Sequence, residues 1–164
     1  MNKFLAVITS VAAVSFVTCS PVLAQSFTPA NATITATGQL QLKQTLPIPV
    51  TCTANFNLKT TSGVGKIDTG STFSGGWPCG SPVTPINLAW SNITVLSWTT
   101  GVTAVVRIPV DVQAVGGTCT GTIQGTLNVP AKTITFPTGT SVVGSSPGCT
   151  VAGVLNLSTT VDVI

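Results

Sequence analysis

Cys119-Thr-Gly-Thr-Ile-Gln-Gly-Thr-Leu-Asn-Val129, then Thr133-Ile-Thr-Phe-Pro-Thr-Gly-Thr140, then Ser146-Pro-Gly-Cys149, is the stretch from which the fold is read. Apolar and polar side chains alternate with period two, and Thr, Ile and Val dominate, which is the pattern of half-buried strands. An earlier segment follows the same plan. Cys52-Thr-Ala-Asn-Phe-Asn-Leu58 leads through a break to Ile67-Asp-Thr-Gly-Ser-Thr-Phe-Ser-Gly-Gly-Trp-Pro-Cys79. Each segment is a Cys, a strand, a break marked by Gly or Pro, a second strand and a closing Cys. Four cysteines permit three connectivities. The internal similarity favours Cys52–Cys79 with Cys119–Cys149, and each bridge closes a loop worth on the order of 3.5 kcal/mol in the chain-entropy model.

The same period runs through the rest of the chain. Val110, Val112 and Ala114 alternate with Asp111 and Gln113, and Leu155 to Val163 alternates with Asn156, Ser158, Thr160 and Asp162. Expected strands span 31–38, 48–58, 64–74, 84–89, 92–98, 102–115, 119–129, 131–137 and 151–163. Breaks fall at Thr61-Ser62-Gly63, Gly75-Gly76-Trp77-Pro78, Ser81-Pro82, Gly116-Gly117 and Gly144 to Gly148. No segment after the leader carries helical periodicity. The expectation is all-β: a single antiparallel β-sandwich, Ig-like or jelly-roll-like, with two intra-domain disulfides and the two cysteine segments as related halves.

Residues 1–24 read as a cleaved signal peptide. Lys3 precedes an apolar run from Phe4 to Val17, and Val22-Leu23-Ala24 offers a small-residue cleavage site before Gln25. That run is about 14 residues, short of the roughly 18 that span a bilayer. Residues 25–164 are then one domain with no transmembrane segment. Cys19 falls within the leader, and the Thr before it argues against lipidation. An exported chain suits oxidised cysteines, so the expected location is periplasmic, cell-surface or extracellular.

Charge is scarce: Lys43, Lys59, Lys66, Lys132 and Arg107 face Asp68, Asp111 and Asp162. So small and dispersed an excess implies no nucleic-acid partner. Catalytic parts are scarcer still. With no His, Glu or Tyr, general acid–base chemistry is reduced to isolated Asp and Lys. No Gly-x-Ser-x-Gly elbow or phosphate loop occurs, and the cysteines lack zinc spacing. The expectation is a non-enzyme without metal or cofactor. Trp77, Trp90 and Trp98 carry the binding character: core or disulfide packing is their default, and contact with a hydrophobic ligand the alternative. Ser26 to Gly38 alternates small apolar residues with Thr. It reads as an edge strand or, more sharply, as a detachable strand in which Phe27, Ala32, Ile34 and Ala36 would add to a neighbour's sheet.

Three stretches carry a family resemblance: Gln25-Ser-Phe-Thr-Pro-Ala-Asn-Ala-Thr-Ile-Thr-Ala-Thr-Gly38, Val50-Thr-Cys-Thr-Ala-Asn-Phe56 and Phe73-Ser-Gly-Gly-Trp-Pro-Cys79. They resemble the bacterial protein activators of alkane oxidation. The resemblance implies a small exported protein that stimulates growth on long-chain hydrocarbons without oxidising them, and it brings no catalytic residues. The leading expectation is a secreted, non-enzymatic protein promoting contact with, or dispersal of, hydrophobic substrates. The alternative is a structural subunit of a surface fibre or biofilm matrix that self-associates by β-strand exchange.

Overall fold

The computed structural model describes residues 25–44, 48–81, 83–86, 92–114, 117–145 and 148–164. The signal-peptide and Cys19 readings, and Trp90, lie outside them. The described residues form strands and turns with no helix. The strands are β1 (Phe27–Thr28), β2 (Ala32–Lys43), β3 (Val50–Thr61), β4 (Val64–Ile67), β5 (Thr72–Ser74), β6 (Thr84–Pro85), β7 (Thr94–Thr99), β8 (Thr103–Ala114), β9 (Gly117–Asn128), β10 (Thr133–Ser141), β11 (Thr150–Leu157) and β12 (Asp162–Val163).

Ten of the twelve strands belong to one antiparallel sheet, in the order β4-β3-β2-β11-β10-β9-β8-β6, with β5 also on β3 and β7 also on β8. The two facing layers expected of a sandwich are instead opposite walls of this one sheet, curled into a half-barrel. Its two edges approach each other: the Ile93 N–H donates to the Gly65 carbonyl at 2.8 Å, and Lys66 pairs with Asn92. The remaining two strands, β1 and β12, form a ribbon across one end.

Period-two patterning decides which side chains line the inside. On β8, Ala104, Val106, Ile108, Val110, Val112 and Ala114 are all buried. The thin stripe of β9 has a packing reason. A Cβ on Gly125 would lie 2.8 Å from the Phe136 ring, so the glycine makes room for the aromatic of β10. Curling needs close backbone approach as well: a Cβ on Gly38 would run into the Val154 carbonyl oxygen, and one on Gly153 into that of Gln39. These two glycines let β2 and β11 lie against each other in the middle of the sheet.

The segment expected to be an edge strand is interior. β2 pairs with β3 from Ala32 to Leu42 and with β11 on its other side. The single strand expected over 64–74 is two, because Asp68 to Ser71 turn out of the ladder. There the Asp68 N–H reaches the Asn57 carbonyl at 2.6 Å, and the Ser71 hydroxyl accepts from the Asn57 N–H.

Candidate functional site

The ends of the long strands gather the loops into two unlike ends. At one, the β1–β12 ribbon closes the half-barrel with Phe27, Val161 and Val163 buried beneath it. Asp162 fastens the ribbon to the β7–β8 turn, its carboxylate accepting from the Gly101 N–H at 2.9 Å and the Val163 N–H at 2.8 Å. At the other end β2 finishes, β3 and β11 begin, and the β8–β9 turn lies. Both disulfides sit there as expected, Cys52–Cys79 and Cys119–Cys149. The first ties the loop after β5 to β3; the second ties β9 to the head of β11.

This disulfide-bearing end is apolar and nearly without charge. Ile48 is 74% exposed and Trp77 82%, and Ile86 and Val143 are exposed with them. The segments 44–49, 75–86 and 142–149 contain no charged residue. Charge reaches this end through Lys43, at the close of β2, and Asp111 on β8, whose carbonyl accepts from the Ile86 N–H and whose carboxylate accepts from the Thr120 hydroxyl at 2.9 Å. Beneath the exposed residues Leu42, Val50, Val83, Val112 and the Cys119–Cys149 bridge line a shallow hollow. Such a surface has little hydration to lose and gains by leaving water.

The interior is core rather than a chamber. Among the described residues, voids of about 30 and 40 Å³ lie along it, walled by residues such as Leu58, Phe73, Ile108 and Phe136. Pockets for small ligands run to roughly 300 Å³ and above.

Of the three tryptophans, Trp77 stands out of the core and Trp98, on β7, is 38% exposed. Trp77 occupies a turn pinned by the Cys79 N–H to the Gly76 carbonyl at 3.0 Å, outside every strand. Phe27, Ile34 and Ala36 are buried and Ala32 is partly so, on strands already paired. Asp68 bonds the Thr69 N–H, so each of the three carboxylates serves its own turn or strand. Among the described residues no three His, Cys, Asp or Glu side chains assemble. Sequence reasoning missed Ile48, Ile86 and Val143. The signal was present: apolar residues beside Pro or Gly, outside the alternation, have no core face to join.

The sequence profile of the family described as "Alkane oxidation protein activator PraA/PraB-like" matches residues 1–164, the whole chain. The chain belongs to that family. No characterised protein and no solved structure matches it.

Proposed function

We propose that this member of the alkane oxidation activator family is a secreted, non-enzymatic protein that seats its disulfide-bearing end on a hydrophobic phase, promoting contact with, or dispersal of, hydrocarbon. The observation that carries the reading is the exposed Ile48, Trp77, Ile86 and Val143 set in segments without charge. Family membership supports the hydrophobic substrate. The disulfides suit an oxidising compartment outside the cytoplasm. They also have a mechanical part. A loop entering oil tends to reshape itself, and Cys52–Cys79 and Cys119–Cys149 hold these loops to β3 and β9 so that the sheet stays folded beneath the contact.

The test uses residues 25–164 mixed with hexadecane droplets in water. The protein is expected to deplete from the aqueous phase, and the Ile48→Lys/Trp77→Lys variant to stay in it, with equal melting temperatures. A variant that partitions like the parent overturns the reading.

A further inference from the structure

Lys43, Lys59, Lys66, Arg107 and Lys132 are scattered along the sequence, no two of them adjacent. Strand register gathers three of them on one wall. Lys59 of β3 stands directly opposite Lys66 of β4, with Thr33 of β2 beyond Lys59 and Asn92 beyond Lys66. Two residues on from Asn92, Thr94 stands opposite Arg107 of β8, which in turn faces Gln124 of β9. Directly opposed side chains share a face of the sheet. Ile67, Val106 and Ile108, next to the cations in sequence, are buried, so this face is the outer one. Lys66 is half-buried there, and Lys59 and Arg107 are exposed. The two rows join across the seam where the edges of the sheet approach, the lysines coming from one edge and Arg107 from the other. Opposed lysines repel and cost stability. Among the described residues no carboxylate forms an ion pair with Lys59, Lys66 or Arg107. Asp68, two residues on from Lys66, accepts from the Thr69 N–H, and Asp162 from those of Gly101 and Val163.

We propose that this wall binds an anionic polysaccharide, a polymer of carboxylated sugars. Lys59, Lys66 and Arg107 answer its charge, and Thr33, Asn92, Thr94 and Gln124 between and beside them exchange hydrogen bonds with sugar hydroxyls. The rows cross β2, β3, β4, the head of β7, β8 and β9, a span of about 24 Å at the usual spacing of strands. That length suits an extended polymer laid across the strands. These positions offer no aromatic face on which a nucleic-acid base stacks, and no large apolar side chain to enter a bilayer. A hydroxyl-rich polyanion is therefore the partner that their chemistry fits. Thr33 and Lys59 lie near the start of β2 and the finish of β3, toward the ribbon and away from the disulfide-bearing end. The wall rests on its own residues and not on the hydrocarbon reading, and it leaves the apolar end free while a saccharide is held.

Titration of residues 25–164 against fluorescently labelled polygalacturonate tests this, with the fully methyl-esterified polymer as the uncharged control. The expected result is binding to the charged polymer alone, weakened at least about tenfold as sodium chloride rises from about 20 to about 200 mM. Lys59→Gln/Lys66→Gln should lower the affinity at least about fivefold, and adding Arg107→Gln should lower it further. The melting temperature of the double variant should equal or exceed the parent's, because the opposed charges are gone. Lys43→Gln/Lys132→Gln makes the same change in net charge and should stay within about twofold of the parent. Trp77→Ala, at the apolar end, should bind as the parent does. A protein that ignores polygalacturonate overturns the proposal. So does equal binding to the esterified polymer, an equal loss in the two double variants, or a loss with Trp77→Ala. Tighter binding to phosphatidylglycerol vesicles or to an oligonucleotide overturns it as well.

Discussion

Replacing Trp77 with alanine separates end-on contact with hydrocarbon from general stickiness. A tryptophan offers roughly 200 Å² for burial, and Trp77 is 82% exposed. At about 25 cal/mol per Å², complete transfer of that exposed area into oil is worth about 4 kcal/mol. A ring half immersed at the droplet surface contributes about 2 kcal/mol, which is about thirty-fold in partition. Ile48→Ala, by the same reasoning on a smaller side chain, should lower partition by about fivefold. The control is Ile164, 60% exposed at the opposite, ribbon-covered end; Ile164→Ala should leave partition as it was. The assay is depletion of protein from water by a washed hexadecane emulsion of known interfacial area, repeated in high salt. Salt should matter little, since Lys43 and Asp111 bring only one charge of each sign to the contacting end. Trp77→Ala should not shift the melting temperature, because the ring supports no core. A change within twofold, or an equal fall for Ile164→Ala, would refute the end-on geometry.

Three further outcomes concern the scaffold. Gly38→Ala should cost about 3 kcal/mol or more in urea unfolding, because the new methyl strikes the Val154 carbonyl between two paired strands; Gly76→Ala, with open space around it, should stay within about 0.5 kcal/mol. Removing Cys119–Cys149 by paired serine substitution should cost about 3.6 kcal/mol, given the sequence separation of 30; a loss below 1 kcal/mol would mean that the unfolded chain is already restrained there. Thr60 is buried and its hydroxyl accepts from the Ala32 N–H at 2.9 Å while donating to the Pro29 carbonyl at 2.7 Å. Thr60→Val should therefore lose about 2 kcal/mol by chemical denaturation, and Thr60→Ser, which keeps both bonds, distinctly less.

How far the fold was legible depends on what each residue had to report. β8 is plain in the sequence because Val110, Val112 and Ala114 alternate with Asp111 and Gln113, and polarity tells inside from outside. β2 runs past its expected end for an equally definite reason. Gly38 reads as a stop, since glycine weakens strands, yet its missing side chain is required by the approach of Val154 from β11. The C-terminal alternation from Leu155 to Val163 reads as one strand, although the chain leaves the sheet at Ser158. There the Ser158 N–H and hydroxyl both bond the backbone of Thr35, and the same period then resumes in a different sheet as β12. Alternation reports a buried face without saying which sheet supplies it.

The sequence by itself determined the strand period, the two cysteine pairs and the near absence of charge around Ile48, Trp77 and Val143, because each is a local property of side-chain chemistry or of internal similarity. Tertiary structure decided that the strands form one curled sheet rather than two layers. That outcome rests on β11 lying beside β2, a contact between distant parts of the chain that no local pattern encodes. It decided, too, that the uncharged loops share an end and that Trp77 faces outward. Each of these depends on where strands terminate relative to one another, which is set by closure of the sheet and by the glycines that permit it.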